Sequence, residues 1–283
     1  MDSSISICNW KGVKCREGTE TVVSLQLGSN NIQGFPGMSM FDSLPNLSTL
    51  SLSSNPLSGF NFNGIENSLR LSELDLDATG LSSVVGIGMS PSLTHISLRN
   101  NHLSGFPQEL FQIKTMKTLL MSNNRLDGRI PNSFDQLPNL ETLILNSNSL
   151  TGDLNDISFP ATLRILDLSH NHLSKAIPAT FLNSIPSSAE LDIDLSGNQL
   201  SGAVPGELAR FDEVDLYLQN NLITAVDPAI CSQKDWNSGD VGKYGKSFLK
   251  KAVVPMDNCS SHVRIFLLIT VFKFIFLLII VNV

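Results

Sequence analysis

Few residues of this sequence could carry catalysis or hold a metal ion, and their spacing matches no catalytic pattern. The 283 residues include five histidines and four cysteines. The cysteines lie towards the two ends of the chain, at Cys8, Cys15, Cys231 and Cys259. The sequence lacks the C-x-x-C spacing of a metal site, and His170 and His172 flank Asn171 at variable positions of a repeat, where solvated side chains are the simpler interpretation. Phosphate-binding, zinc-protease and serine-hydrolase motifs are also missing from the sequence. We therefore predict a protein that is not an enzyme and that binds neither a metal nor a cofactor.

Carboxylates offer a different chemistry, the binding of a cationic partner. The net charge is −7 and the isoelectric point is near 5.2. This acidity argues against a nucleic-acid-binding protein, because such a protein needs a basic surface to displace counterions from phosphates. Two acidic groups stand out, one at Glu73, Asp75 and Asp77 and the other at Asp167, Asp192, Asp194 and Asp215. Whether the members of each group lie close enough to bind one partner depends on the strands and turns that position them.

A repeated frame supplies those elements. Asparagine recurs at nearly constant intervals, at Asn30, Asn55, Asn101, Asn124, Asn148, Asn171, Asn198 and Asn221, and Thr79 fills the one gap. Around each position a pattern of the form Leu140-x-x-Leu143-x-Leu145-x-x-Asn148 returns. The alternating leucines predict a short strand whose leucines point inward, and the Asn predicts a turn whose side chain bonds nearby backbone groups. One copy cannot bury its own leucine face, so we expect the copies to stack as a solenoid.

This frame resembles the leucine-rich repeat, and nine copies of it cover residues 21–225. Several copies continue as in Gly128-Arg129-Ile130-Pro131, which resembles the plant-type subclass. The resemblance implies an α/β leucine-rich-repeat solenoid with a parallel concave sheet and with short 3₁₀ or irregular segments on the convex side. Glu190 and Glu213 stand where the first leucine of the last two copies should be, so the register of those copies stays open.

The two ends of the array resemble caps. Residues 8–15 are similar to the plant-type C-x-W-x-G-V-x-C cap, in which Cys8 and Cys15 would form a disulfide and Trp10 would cover the first repeat. Cys231 follows the last copy, where C-terminal caps sit, and a bond to Cys259 would close the polar stretch between them.

These boundaries divide the chain into four parts. They are an N-terminal cap at 1–20, the solenoid at 21–230, a C-terminal cap and linker at 231–262, and a hydrophobic tail at 263–283. N-glycosylation sequons begin at Asn46, inside the solenoid, and at Asn258, inside the linker.

The hydrophobic tail is a candidate transmembrane segment. From Ile265 to Val281 only Thr270 and Lys273 interrupt an apolar run, whose length is at the short limit for a bilayer span. A removable signal for a lipid anchor and an erroneous terminal exon are alternatives.

The orientation of such a segment is ambiguous from the sequence. Basic residues precede the tail and none follows it, which favours a cytosolic N-terminal side, whereas the cap cysteines favour export to an oxidising compartment. We predict export, with the repeats outside the cell and with a signal peptide that is not visible because the gene model is incomplete.

Residues that flank the inward leucines should point outward on the concave face, where they form columns across neighbouring strands. Three patches result: the N-terminal acidic row (Glu73, Asp75 and Asp77, beside His95 and Arg99), the apolar strip (Leu120, Ile144 and Ile165), and the C-terminal acidic group (Asp167, Asp192, Asp194 and Asp215, with Tyr217). Like charges on adjacent strands destabilise a sheet, so their presence favours a cationic partner. An apolar strip between acidic patches is typical of a contact surface, although a solvated face also tolerates such residues.

Together these features predict a membrane-anchored recognition module that binds a peptide, a protein or a glycan on its concave face. The chain resembles the leucine-rich-repeat receptor-like proteins, and that resemblance implies a partner receptor kinase that relays the signal. Two alternatives stay open. One is a secreted enzyme inhibitor resembling the polygalacturonase-inhibiting proteins, and the other is an intracellular scaffold anchored by its tail.

Overall fold

Short strands stacked side by side form a main sheet. The computed structural model describes residues 6–33, 42–57, 62, 64–231 and 263–266. In order across the main sheet, the strands are β1 (Val13–Cys15), β2 (Val22–Gln26), β3 (Thr49–Ser51), β4 (Glu73–Asp75), β5 (His95–Ser97), β6 (Thr118–Leu120), β8 (Thr142–Ile144), β10 (Ile165–Asp167), β12 (Glu190–Asp194), β14 (Glu213–Tyr217) and β16 (Val263–Phe266). Within these ranges β1 is antiparallel to β2, and every later pairing is parallel. The predicted parallel sheet is therefore confirmed.

A second, smaller parallel sheet and short 3₁₀ segments connect the strands of the main sheet. The second sheet contains β7 (Asp127–Arg129), β9 (Ser149–Gly152), β11 (His172–Lys175), β13 (Gln199–Val204) and β15 (Leu222–Val226). The 3₁₀ segments are Ile7–Asn9, Ile65–Asn67, Ile87–Met89, Gln108–Gln112, Phe134–Gln136 and Gly206–Arg210, and one short α-helix, α1, spans Pro228–Cys231. The short 3₁₀ segments expected between successive strands are thus present.

The apolar core runs along the whole array. Leu143 and Leu145, which alternate along β8 and past its end, are both fully buried, as the frame predicts. The core also contains a row of aromatic rings that the sequence pattern did not reveal, here called the phenylalanine row: Phe106, Phe111, Phe134, Phe159 and Phe181. Neighbouring ring centroids in this row lie 5.3 to 6.2 Å apart, so the rings join successive copies of the repeat.

The repeat asparagines form a buried ladder of hydrogen bonds. Asn148 donates through Nδ2 to the carbonyl oxygens of Met121 (3.0 Å) and Leu145 (2.9 Å), and its Oδ1 accepts from the backbone N–H of Leu126 (3.0 Å). The same pattern recurs at Asn101, Asn124, Asn171, Asn198 and Asn221. Because each side chain bonds its own copy and the preceding one, the ladder satisfies backbone groups that the solenoid buries.

Thr79 keeps this ladder continuous with a different set of atoms. Its Oγ1 donates to the carbonyl oxygen of Leu76 (2.7 Å) and to Oδ1 of Asn101 (3.0 Å). The N–H of Leu57, which would elsewhere bond an Asn side chain, donates to the backbone carbonyl oxygen of Thr79 (3.0 Å). A backbone oxygen therefore replaces the missing amide oxygen.

The residue before each ladder position adopts a left-handed conformation. These residues are Ser29, Ser54, Ala78, Asn100, Asn123, Ser147, His170, Gly197 and Asn220, with φ between 53° and 65°. Gly, Asn and His reach this region more readily than other residues, whereas Ala78 and the serines adopt it because the turn requires it.

The N-terminal cap differs in one respect from the plant-type cap that it resembles in sequence. Cys8 and Cys15 form a disulfide with an S–S distance of 2.01 Å. Trp10, however, is 59% exposed and does not cover the first repeat. Strand β1 lies beside β2 and brings Val13 and Cys15 against the core, so this end is covered without the indole ring.

The predictions for the C-terminal part of the chain fall largely outside the described residues. The side chain of Cys231, the whole of Cys259 and the tail after Phe266 lie there. Residues 263–266, which the sequence assigned to the hydrophobic tail, form strand β16. Among the residues that the structure describes, no helix is long and apolar enough to cross a membrane.

Candidate ligand-binding surface

The register of the main sheet places the outward residues in two columns. The first contains Ser24, Thr49, Glu73, His95, Thr118, Thr142, Ile165, Asp192 and Asp215. The middle column contains Gln26, Ser51, Asp75, Ser97, Leu120, Ile144, Asp167, Asp194 and Tyr217. The register that the sequence left open is settled, because Glu190 pairs with Glu213. The columns are those that the frame places on the outward face.

The N-terminal acidic row has one carboxylate that is paired with a cation. Nε of Arg99 lies 3.0 Å from Oδ2 of Asp77, and the backbone N–H of Arg99 donates to Oδ1 of Asp77 at 2.7 Å. Asp75 accepts from Oγ of Ser51 at 2.6 Å and from the backbone N–H of Asp77 at 3.0 Å. The remaining bonds join Glu73 to Thr49 (3.3 Å) and His95 to Thr94 (2.8 Å). Arg99 therefore compensates Asp77, whereas Glu73 and Asp75 are held by hydrogen bonds to neutral groups.

The apolar strip lies next to the C-terminal acidic group. Leu120 and Ile144 are direct neighbours in the middle column and both are half-buried. Ile165 lies one strand further on, in the first column, and is 39% exposed. The same register pairs Ile144 with Asp167 and Ile165 with Asp192, so two members of the strip lie beside a carboxylate on the next strand.

The C-terminal acidic group holds carboxylates on adjacent strands. Asp167 pairs with Asp194, and Asp192 pairs with Asp215. Oδ1 of Asp167 accepts from the N–H of Ser169 (2.9 Å), and Oδ1 of Asp194 accepts from the N–H of Ser196 (2.8 Å). In the described part of the chain, neither Asp167, Asp192 nor Asp194 makes an ion pair.

Burial and mutual repulsion disturb the ionisation of this group. Desolvation raises the pKa of Asp167, and the charge of Asp194 adds to the increase, while bonds from Ser169 and the charge of His170 oppose it. Desolvation also raises the pKa of Asp192, and the charges of Asp215, Asp194 and Asp167 raise it further. A cation placed against the group would relieve this repulsion.

Two hydrogen-bond acceptors that the sequence did not single out lie beside these patches. Oδ1 of Asn146, just past Ile144, and Oε1 of Gln219, just past Tyr217, are buried, and each lacks a hydrogen-bond partner among the described residues. Buried acceptors without partners are uncommon, and a ligand that carries N–H donors could satisfy them. Spacing alone could not identify them, because their burial depends on neighbouring strands.

The sequence pattern also did not predict an ion cluster on the second sheet. Nζ of Lys175 lies 2.7 Å from Oδ2 of Asp153, and Nη2 of Arg129 lies 3.5 Å from the same oxygen. The hydrogen bond from Lys175 is the main reason that the pKa of Asp153 is lowered, and the charge of Arg129 acts in the same direction. Two cations share one carboxylate, so the cluster has a net positive charge and offers no site for a cationic ligand.

The structure describes the asparagine of only one of the two N-glycosylation sequons. Asn46 is half-buried, immediately before the buried Leu47, and Asn258 lies outside the described residues.

Comparison with known proteins identifies the repeats independently. A family model described as leucine rich repeat matches residues 91–150, and a second leucine-rich-repeat model matches residues 46–68 and 162–184. Receptor-like protein 35 of Arabidopsis thaliana is 32% identical over 207 residues, which are 72% of this chain and 17% of that protein. The chain spans about a fifth of the length of the curated receptor-like proteins that it matches.

Solved structures share the architecture. The leucine-rich-repeat ectodomain of the plant membrane receptor kinase GASSHO1/SCHENGEN3 from Arabidopsis thaliana, in complex with CASPARIAN STRIP INTEGRITY FACTOR 2, has a TM-score of 0.55 and 27% identity, covering 70% of this chain and 27% of that one. A plant ice-binding protein has a TM-score of 0.55 and 24% identity, covering 80% of this chain and 82% of that one, and at this identity it shows the fold alone.

Proposed function

We propose that this leucine-rich-repeat solenoid, which is similar to plant receptor-like proteins, is a recognition module that binds a basic peptide on its main sheet. One observation carries the proposal: Asp167, Asp192 and Asp194 make no ion pair among the described residues, and Asp167 and Asp192 lie directly beside the apolar strip. A ligand with a Lys or Arg side chain and a neighbouring apolar side chain complements this pair of patches. Binding, and not catalysis, is the role that we assign to the chain.

The form of the sheet favours an extended ligand. Its columns repeat at about 4.8 Å, and they are held by a buried hydrogen-bond ladder, so little ordering of the protein accompanies binding. The GASSHO1/SCHENGEN3 ectodomain, which shares this architecture, was solved with a bound factor, and this supports a ligand-binding role for the present fold.

We place the repeats outside the cell and assign signal relay to a separate receptor kinase. The disulfide between Cys8 and Cys15 supports an oxidising compartment, because such bonds are kept reduced in the cytosol. The similarity to receptor-like proteins supports the same location and a partner of this kind.

Reversing the charge of two carboxylates in the C-terminal acidic group is expected to weaken binding of a basic peptide. We expect Asp167→Lys combined with Asp194→Lys to weaken binding of a synthetic Arg-Leu-Arg-containing peptide by at least about tenfold, roughly 1.4 kcal/mol, because attraction becomes repulsion. Isothermal titration calorimetry with the folded protein would measure the change in affinity. Asp167→Asn combined with Asp194→Asn keeps acceptors for Ser169 and Ser196, and it should weaken binding less while preserving the turns.

A matched control separates this local effect from net charge. Asp127→Lys combined with Asp135→Lys makes the same change in net charge at exposed positions away from both columns. We expect this control to bind nearly as well as the wild type. If the wild type and the double variant with Asp167→Lys and Asp194→Lys bound the peptide equally well, the proposed surface would be contradicted.

Binding of the same peptide should weaken as the pH falls, and the weakening should begin at a higher pH than it would for ordinary carboxylates. A cation binds the ionised form, and the raised pKa values of Asp167 and Asp192 mean that protonation begins at a higher pH than usual. Arginine stays charged throughout, so affinities measured from about pH 7 to about pH 4 report on the protein. Asp192→Asn should flatten the profile, whereas His170→Asn should retain it. An unchanged profile in Asp192→Asn would count against the carboxylate as its source.

A further inference from the structure

The apolar strip and the C-terminal acidic group meet in the middle column, at fixed positions along the main sheet. Leu120 on β6 is the direct neighbour of Ile144 on β8, and Asp167 on β10 is the direct neighbour of Asp194 on β12. Ile144 and Asp167 are also paired, so these four half-buried side chains follow one another on four consecutive strands. We propose that this column selects a proline-rich peptide in the polyproline II conformation, with an apolar and a basic side chain three residues apart. The inference rests on the proposed function, because it specifies the peptide that the same surface binds.

Each pair of neighbours defines one contact point for the ligand. An apolar side chain makes the most contact when it lies between Leu120 and Ile144, midway between β6 and β8. A cation is most strongly attracted midway between Asp167 and Asp194, because both carboxylates act on it there. Consecutive strands lie about 4.8 Å apart, so the two contact points are separated by two strand spacings, or about 9.6 Å.

The polyproline II conformation matches both this distance and the direction of the side chains. It has three residues per turn and rises about 3.1 Å per residue, so residues i and i+3 face the same way about 9.3 Å apart. A β-strand does not match, because its residues i and i+2 face the same way only about 6.6 Å apart, and residue i+3 faces the other way. Proline favours the polyproline II conformation before binding, so prolines at the two intervening positions reduce the entropy lost on binding.

A ligand that lies along one strand would meet a different pair of side chains. On β10, Ile165 and Asp167 point outward two residues apart, at about 6.6 Å, and this spacing suits residues i and i+2 of an extended ligand. Such a ligand would be centred on one member of the apolar strip and on one carboxylate. The orientation across the strands uses two members of each patch, and we therefore favour it.

Three peptides of identical composition test the spacing with the full chain. They carry Leu-Pro-Pro-Arg, Pro-Leu-Pro-Arg or Pro-Pro-Leu-Arg between the same glycine flanks, so only the separation of leucine and arginine differs. We expect Leu-Pro-Pro-Arg to bind at least about fivefold more tightly than either of the others, as measured by isothermal titration calorimetry. Tightest binding of Pro-Leu-Pro-Arg would indicate a ligand along β10, and equal affinities would mean that the surface recognises charge alone. Either result would overturn the inference.

A fourth peptide tests the conformation apart from the spacing. Leu-Gly-Gly-Arg keeps the separation of leucine and arginine, but glycine has no preference for polyproline II and loses more conformational freedom on binding. We expect it to bind at least about threefold more weakly than Leu-Pro-Pro-Arg. Equal or tighter binding of the glycine peptide would rule out selection of the polyproline II conformation.

A variant of the protein locates the apolar contact. Ile144→Ser should remove the preference for Leu-Pro-Pro-Arg over Pro-Pro-Leu-Arg while it leaves the carboxylates in place, and the middle column already contains serine at Ser51 and Ser97. Thr142→Ser, on the same strand but in the first column, is the matched control and should keep the preference. An unchanged preference in Ile144→Ser would place the leucine elsewhere and contradict the inference.

The inference and the proposed function fail in different ways. If the three proline peptides bind the wild type equally well and none binds the double variant with Asp167→Lys and Asp194→Lys, the spacing is wrong and the basic-peptide function stands. If none of the peptides binds the wild type, both are wrong.

Discussion

Replacing Asn171 with alanine is expected to lower the free energy of unfolding by about 3–5 kcal/mol. Asn171 is only 3% exposed, and its Nδ2 donates to the carbonyl oxygens of Leu145 (3.2 Å) and Leu168 (3.0 Å). Its Oδ1 accepts from the N–H of Leu150 at 3.0 Å. Alanine leaves these buried groups without partners, and each costs about 1–3 kcal/mol. Denaturant unfolding followed by circular dichroism measures the loss.

Two further variants separate the ladder from a general effect of losing an asparagine. Asn139 is exposed and makes a single bond, to the carbonyl oxygen of Lys114 at 2.8 Å, so Asn139→Ala should cost less than about 1 kcal/mol. Asn171→Thr should fall between the two, because Thr79 shows how a hydroxyl and a backbone oxygen serve this position. If Asn171→Ala and Asn139→Ala lost the same stability, the ladder would not be a major source of it.

Truncating Phe134 to alanine is expected to cost about 3–5 kcal/mol. Phe134 is fully buried at the centre of the phenylalanine row, and its ring centroid lies 5.4 Å from Phe106, 5.3 Å from Phe111 and 5.9 Å from Phe159. Alanine leaves a cavity and removes three ring contacts, each worth about 0.5–1.5 kcal/mol beyond buried area. The loss should appear as a lower denaturation midpoint with little change in slope.

The size of the side chain provides the control for this prediction. Phe134→Leu keeps most of the buried volume and should cost clearly less, roughly 1–2 kcal/mol. An alanine variant as stable as the wild type would mean that neighbouring copies close around the cavity. Because contacts in a solenoid link only neighbours, the damage should be largest in the copies that flank Phe134, and hydrogen exchange can resolve this.

The sequence predicts the outward columns because the frame fixes two things at once. The alternation around Leu143 and Leu145 determines which side chains face out, and the constant offset between copies determines which of them become neighbours. This is why the pairing of Ile144 with Asp167 follows from spacing alone, whereas that of Asp192 with Asp215, in the two copies with an open register, required the structure. The ladder role of asparagine follows similarly from the need to satisfy buried backbone groups.

Spacing does not determine which charges remain available. The N-terminal acidic row and the C-terminal acidic group look alike in sequence, yet Arg99 pairs with Asp77 in the first, whereas Asp167, Asp192 and Asp194 make no ion pair among the described residues of the second. Side-chain length and rotamer decide such pairings. The phenylalanine row was missed although Phe111, Phe134, Phe159 and Phe181 recur at intervals close to those of the repeat, because only packing shows that their rings meet.

The hydrogen-bond ladder also determines where this chain tolerates a change of length. Its anchors, such as Asn148 and Asn171, fix only the strand and the turn of each copy. An inserted or deleted residue between a turn and the next strand can be absorbed there, and the intervals between the ladder positions are indeed unequal. A single-residue insertion between Leu145 and Asn148 would instead pull the amide away from its carbonyls. A change of length between copies should therefore cost little stability, whereas the same change inside the anchor should cost much more.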